Sequence, residues 1–176
     1  MSIDTYRPPR TVMEVYEMLP EGTLCEVIEN QLYMAPAPNE PHQKLSIGLA
    51  SAIYYFVERH HLGEVRAAPY GVYLNEKNVF QPDILFISSG NIKGIKNNGF
   101  YGSPDLVIEI LSPSNAQYDL IQKKKIYERC GVKEFWVIDP MSKEAKGFYL
   151  SAKKYIPLAT ARGKISSKIL SHTFSF

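Results

Sequence analysis

Several things are scarce in this chain, and each scarcity excludes something. Only two cysteines, Cys25 and Cys130, occur in 176 residues, and they stand too far apart to form a zinc box by themselves. We read them as free, half-buried thiols, because a cytosolic chain rarely keeps a disulfide. No apolar run approaches the ~20 residues needed to span a bilayer. The opening MSIDTYRPPR has no apolar leader core, which predicts a cytoplasmic protein with no membrane contact. Charge of one sign is lacking too: 20 Lys and Arg against 18 Asp and Glu give a net of +2, which by itself advertises no nucleic-acid partner. Also absent are the G-x-S-x-G, P-loop, G-x-G-x-x-G and H-E-x-x-H patterns, so covalent hydrolase, nucleotide-binding and zinc-peptidase readings lack support.

What remains is ordinary globular material, with 45% hydrophobic and 22% charged residues. The length predicts a single domain over 1–176 with residues 1–8 as a flexible lead. Charge is unevenly spread. Residues 1–110 hold 8 Lys/Arg and 13 Asp/Glu, whereas residues 111–176 hold 12 and 5. A fold that lays the acidic part beside the basic part could hold both a metal and a phosphate backbone, although differently charged solvated faces would give the same count.

The segment TVMEVYEML, 11–19, predicts a short helix with Thr11 as N-cap and Glu14 completing a capping box. LCEVIE and QLYMAP read as a hairpin whose turn residue Asn30 accepts positive φ. PAPNEP, 36–41, carries three prolines and predicts a loop. From His42 to about His61 the apolar positions Leu45, Leu49, Ala52, Ile53, Phe56 and Val57 recur at helical spacing, with Gly63 closing the helix. GEVRAAPYGVYL and NVFQPDILFIS predict two strands joined around 75–78, and 88–103 reads as a surface loop. DLVIEIL, 105–111, predicts a strand buried on both faces. A helix from about Ala116 to Cys130, capped by Ser114 or Asn115, stops at Gly131. EFWVID and the tail segments GFYL, YIPLA and ILSHTFSF complete the pattern as strands of the same sheet. The order predicts an α/β class, an α+β mixed arrangement around one sheet.

Two carboxylates fall inside apolar strands: Asp83 in QPDILF and Glu109 in PDLVIEIL. Burying either costs several kcal/mol unless a cation or hydrogen bonds compensate. On adjacent strands the pair could hold one hard cation such as Mg²⁺; backbone N–H donors or a lysine would serve equally. Glu26 is a third candidate buried carboxylate. On the 116–130 helix Asp119, Lys123 and Tyr127 recur at i, i+4 and i+8 and share one face, which also suits an ordinary Asp119–Lys123 ion pair. Lys124 and Lys125 are expected to face solvent or a phosphate backbone. His42, at the start of the long helix, reads as a surface or packing residue, and His60, His61 and His172 as surface.

At these residues the chain becomes recognisable. CEVIENQLYMAPAPNEPHQKL, FQPDILFIS and SPDLVIEILSPSNAQYDLIQKKKIYERCGVKEFWVID, in that order, resemble the Uma-two family, whose members are described as restriction endonucleases. The resemblance implies a restriction-endonuclease-like fold, a central mixed sheet flanked by helices, of the PD-(D/E)xK kind. It implies a metal-dependent DNA endonuclease in which Asp83 and Glu109 bind Mg²⁺ or Mn²⁺ and Lys123 assists water activation. The usual lysine two positions after the glutamate is here Leu111, and Lys123 on the following helix is its replacement. Glu26, His42, Ser112, Asp119 and Tyr127 are carried along as a supporting pocket. DNA is the implied partner, and a homodimer would suit double-strand cutting. The displaced lysine motivates an alternative, a non-catalytic nucleic-acid- or protein-binding module on a nuclease scaffold.

Overall fold

The computed structural model describes residues 8–112 and 118–176, with the backbone alone for 118–120. The expectation of a flexible lead at 1–8, and of a helix cap at Ser114 or Asn115, therefore falls almost wholly outside the described residues.

In chain order the elements are α1 (Val12–Glu17), β1 (Cys25–Ile28), β2 (Gln31–Met34), α2 (Glu40–Arg59), β3 (Gly63–Ala67), β4 (Val72–Asn75), β5 (Asn78–Phe80), β6 (Ile84–Ser88), a 3₁₀ turn (Ser89–Gly94), β7 (Ile95–Lys96), β8 (Gly99–Tyr101), β9 (Leu106–Ile110), α3 (Tyr118–Cys130), β10 (Glu134–Ile138), β11 (Glu144–Ser151), β12 (Lys154–Pro157), β13 (Ala161–Arg162), β14 (Lys164–Ser167) and β15 (His172–Ser175). They build three sheets. One has the order β2-β1-β5-β4-β8-β7, a second β12-β11-β10-β9-β6-β3 with β13 beside β11, and β14-β15 form a hairpin. The pairs β9–β10 and β4–β8 are parallel, in otherwise antiparallel sheets. This is a mixed α+β architecture.

Several local expectations hold for their stated reasons. Thr11 Oγ1 accepts from the Glu14 N–H at 3.1 Å and starts α1, although the Glu14 carboxylate accepts from the Arg10 N–H at 2.6 Å where a capping box would use the Thr11 N–H. The β1–β2 turn places both Glu29 and Asn30 at positive φ, the geometry a two-residue hairpin needs. Gly131, at φ 90°, ends α3, since a left-handed C′ residue favours glycine.

Other expectations are corrected. Glu40 and Pro41 belong to α2 rather than to the preceding loop. Asn39 caps the helix by accepting from the His42 N–H at 3.2 Å, and proline is tolerated in a first turn that has no use for its missing donor. The left-handed residue after α2 is His61, not Gly63, which instead opens β3. Each of the two long strands expected over 63–88 is split. GEVRAAPYGVYL breaks at the cis Ala68–Pro69 bond into β3 and β4, and NVFQPDILFIS breaks at Gln81–Asp83 into β5 and β6. The halves belong to different sheets. The segment 88–103 is not a loop but a 3₁₀ turn and two short strands. One expected sheet is three, and the last tail segment pairs in its own hairpin instead of lengthening the large sheet.

The large sheet has two covered faces, and the alternation of β6 and β9 sorts their side chains between them. Ile84, Phe86, Leu106 and Ile108 pack with Leu45, Leu49, Ile53 and Val57 of α2. Leu85, Ile87 and Val107 pack with Ile126 and Tyr127 of α3 and with Phe80 and Val72 of the neighbouring sheet. On β11, Gly147 lies opposite Trp136, and a Cβ there would come within 2.6 Å of the indole ring. A glycine is what lets the chain's one tryptophan lie in that core. Among the described residues no helix is long and apolar enough to cross a membrane.

Candidate active site

Glu109 follows Val107 by two positions on β9, so the pleat sends it to the α3 face, where the alternation otherwise delivers apolar groups. Asp83 stands one residue ahead of β6. Continuing the register Ile84–Ile108, Leu85–Val107 by one step sets it opposite Glu109. The expected adjacency of the two carboxylates is therefore a result of sheet register. One Asp83 oxygen, Oδ2, accepts from the Ile110 N–H at 2.7 Å and lies 3.2 Å from His42 Nε2. His42 is buried in the first turn of α2 and lines the cleft, so only the surface half of the surface-or-packing reading falls.

Lys123 reaches this cluster from the second turn of α3. Its Nζ lies 2.8 and 2.9 Å from the two oxygens of Glu26 and 3.4 Å from Glu109 Oε1. The lysine thus joins β1 of one sheet to β9 of the other. Tyr127, one turn further along α3 and fully buried, donates its hydroxyl to the same Glu109 oxygen at 2.7 Å. Lys123 and Tyr127 share a helix face, as the i, i+4 spacing predicts. The Asp119 side chain lies outside the described residues. Ser112 lines the same cleft, half-buried. Lys124, expected to face solvent or phosphate, instead lies over the Phe148 ring at 3.5 Å, its stem covering apolar surface.

Two contributors escaped the sequence reading because they act through the backbone. The Gln81 N–H donates to Glu26 Oε1 at 2.8 Å, and the Ile110 N–H holds Asp83 as described. No side-chain pattern announces a main-chain donor. Phe80, whose ring centroid is 5.6 Å from Lys123 Nζ, was also missed and is legible only as an apolar strand residue.

The cleft has a volume of about 610 Å³ and is lined by Glu26, His42, Asp83, Glu109, Ser112 and Lys123 among others. Its electrostatics are strongly perturbed. Burial pushes the Glu109 carboxyl up, and the nearby Glu26 and Asp83 add to that shift while Lys123 and Tyr127 oppose it. The hydrogen bond to Asp83 raises the His42 imidazole above its ordinary value against the opposing effect of burial. Burial, with Glu109 and Glu26 alongside, drives the Tyr127 phenol up, so it stays a hydrogen-bond donor at neutral pH. Glu26 and Glu109 share the Lys123 ammonium group, while Asp83 is held by His42 and the Ile110 N–H. Among the described residues no group of three or more His, Cys, Asp and Glu side chains stands in a metal-holding arrangement. The Asp83–Glu109 pair nevertheless suits a hard cation that takes one or two carboxylates and completes its shell with water and phosphate oxygen. A divalent cation beside Glu109 would favour its ionised form against the burial that raises it.

Residues 12–174 match the Uma2 family model, described as "Putative restriction endonuclease". A solved structure, described as a "putative nuclease belonging to DUF820" from Anabaena variabilis, superposes with a TM-score of 0.77 at 19% identity, covering 95% of each chain. That likeness gives the chain a restriction-endonuclease-like fold. No curated protein matches the chain.

Proposed function

Because the chain belongs to the Uma2 family, we propose that it is a metal-dependent DNA endonuclease whose phosphodiester chemistry takes place at the Asp83–Glu109–Lys123 cleft. The observation that carries this reading is that Lys123 bridges Glu26 and Glu109 at the seam between two sheets, with Asp83 opposite Glu109 in the sheet register. A purely structural lysine needs one carboxylate partner; here two buried carboxylates share one buried lysine, a costly arrangement.

Asp83 and Glu109 are the residues that would hold Mg²⁺ or Mn²⁺. When bound, such an ion polarises a phosphate oxygen and lowers the pKa of a coordinated water. The protein's own groups do the rest. The Ile110 N–H and His42 fix the Asp83 carboxylate, and Tyr127 fixes Glu109. Lys123, held over Phe80 between Glu26 and Glu109, presents an ammonium group that can orient a water or donate to the charge developing on phosphate. The Lys- and Arg-rich stretch after residue 110 would contact the phosphate backbone, with a salt dependence set by the number of contacts.

The test is a plasmid-cleavage time course with Mg²⁺ or Mn²⁺, with EDTA, and with the Asp83→Ala variant. Nicking or linearisation that needs both the metal and Asp83 is the expected result. Cleavage by Asp83→Ala at the wild-type rate would overturn the assignment. Absence of cleavage with every metal would favour the alternative, a binding module on the same scaffold.

A further inference from the structure

Beside the carboxylate cleft lies a second cavity of about 420 Å³, within the range of pockets that take small organic ligands. Pro69 and Gln81 line both, so one ridge separates them. The two cavities differ in chemistry. The second is lined by Tyr16, Tyr70 and Tyr73 and by the amide residues Gln81, Asn97 and Asn98, with Glu17 and Glu21 at its acidic side. No lysine or arginine of the described residues lines it, so it is not built to hold a phosphate. Its rings are held in place: Tyr73 stacks on Tyr101 at 4.2 Å between centroids and takes the edge of Tyr16 at 6.0 Å, while Asn98 donates to the Tyr101 hydroxyl at 2.9 Å. The Tyr70 hydroxyl is buried and has no hydrogen-bond partner among the described residues.

Aromatic walls with amide and carboxylate groups but no cation match a flat, uncharged ring carrying amino and carbonyl groups. Proteins recognise unpaired bases in this way, by aromatic contact and by hydrogen bonds to the base edges, with carboxylates accepting from exocyclic amino groups. The position relative to the cleft matches as well. Gln81 and Asp83 are two residues apart and so at most about 7 Å from each other along the chain. A nucleotide's sugar bridges that distance between its phosphate and its base. Gln81 is also fixed at both ends: its backbone N–H holds Glu26, and its side chain bonds the Thr23 carbonyl at 3.0 Å.

We propose that this tyrosine-and-amide cavity is a base-binding subsite that takes one unpaired nucleobase of a strand whose phosphate lies at the Asp83–Glu109 cleft. The proposal rests on the nuclease reading for the placement of that phosphate. It makes the preferred substrate a single strand, or a duplex opened locally at one nucleotide.

The experiment is fluorescence anisotropy of labelled single-stranded 12-mers with the full chain in Ca²⁺, in which one position at a time is made abasic. The same series is measured on an Asn98→Ala/Glu17→Gln double variant, whose thermal transition reports that it folds. The expected result is a loss of about tenfold in wild-type affinity when one particular position is abasic, the scale of a single base contact. That penalty should vanish in the double variant. Equal affinities at every position, a penalty that persists in the double variant, or no measurable strand binding would each overturn the subsite. The plasmid assay separates the two ideas. Cleavage that depends on Asp83, with no position-specific penalty, defeats the subsite alone. A position-specific penalty in a chain that cuts nothing supports base binding and defeats the nuclease reading.

Discussion

Two glutamates sit in the neighbouring parallel strands β9 and β10, both inside the protein, and they behave as opposites. Glu134, at the start of β10, is completely buried and accepts from the Trp136 Nε1–H at 2.6 Å, the Ile169 N–H at 2.8 Å and the Ser167 hydroxyl at 3.3 Å. All three donors are neutral, and two of them belong to the C-terminal hairpin and its turn, which Glu134 thereby fastens to the large sheet. Glu109, three residues into β9's run, faces a lysine, a tyrosine and two other carboxylates beside an open cleft. Burial raises both carboxyls, but at Glu134 only hydrogen bonds oppose it, whereas at Glu109 other charges act in both directions. A buried carboxylate surrounded by neutral donors belongs to the architecture. One set among charged groups beside a cleft is the one the nuclease reading enlists.

The contrast can be broken from either side. The largest expected effect is on chemistry. Asp83→Ala should lower Mg²⁺-dependent cleavage about a thousandfold or more, since removing a metal ligand forfeits several kcal/mol of transition-state stabilisation. Its thermal transition should fall as well, because the Ile110 N–H and the buried His42 lose their acceptor, so cleavage is compared per folded molecule. Next comes Lys123→Met, which leaves Glu26 and Glu109 buried without their cation. Chemical denaturation should show a loss of about 3–5 kcal/mol, and cleavage should fall with it. Glu134→Ala strands three donors and leaves a cavity, so it should cost about 3 kcal/mol by the same measurement. Its cleavage per folded molecule should match wild type. Equal damage to cleavage in Glu134→Ala and Asp83→Ala would erase the distinction drawn here.

The smallest effect concerns acid. Burial raises the Asp105 carboxyl, but Lys133 at 2.6 Å and the Ser88 N–H at 2.7 Å outweigh it and hold the group below the usual carboxylate range. A depressed folded value means stability that is fully present above the unfolded pKa and is lost as pH falls through the folded one. Asp105→Asn should therefore cost about 1–2 kcal/mol at pH 7 and progressively less below about pH 4. Denaturation midpoints between pH 2 and 7 measure this; a variant whose deficit stays constant down to pH 2 would refute the assignment.

Much of the large sheet and the carboxylates Asp83 and Glu109 were legible, because a charge inside a short apolar strand is conspicuous against period-2 patterning, whereas Lys123 stood out from an ordinary helical ion pair only through the family resemblance. His42 was legible only through the family resemblance, since a histidine after a proline-rich loop reads as surface or packing until the Asn39 cap and the fold bring it against Asp83. The splitting of the two long strands was hidden because β3 and β4 read alike in composition; only the turn at Ala68–Pro69 and the crossing at Gln81–Asp83 send their halves to different sheets. Glu134 escaped notice for a related reason. Its partners Ser167 and Ile169 are more than thirty positions away, and pattern reading sees neighbours.

The Lys123–Glu26 bond has a consequence in time as well as in space. Its partners are 97 residues apart in the chain, and the cleft draws on β1, α2, the β5–β6 crossing, β9 and α3. A chain emerging from the ribosome has no assembled cleft until Lys123 has been made and has folded back across almost a hundred residues, a long-range closure that comes late in folding. A half-made chain therefore carries the strand carboxylates without the cleft that gathers them.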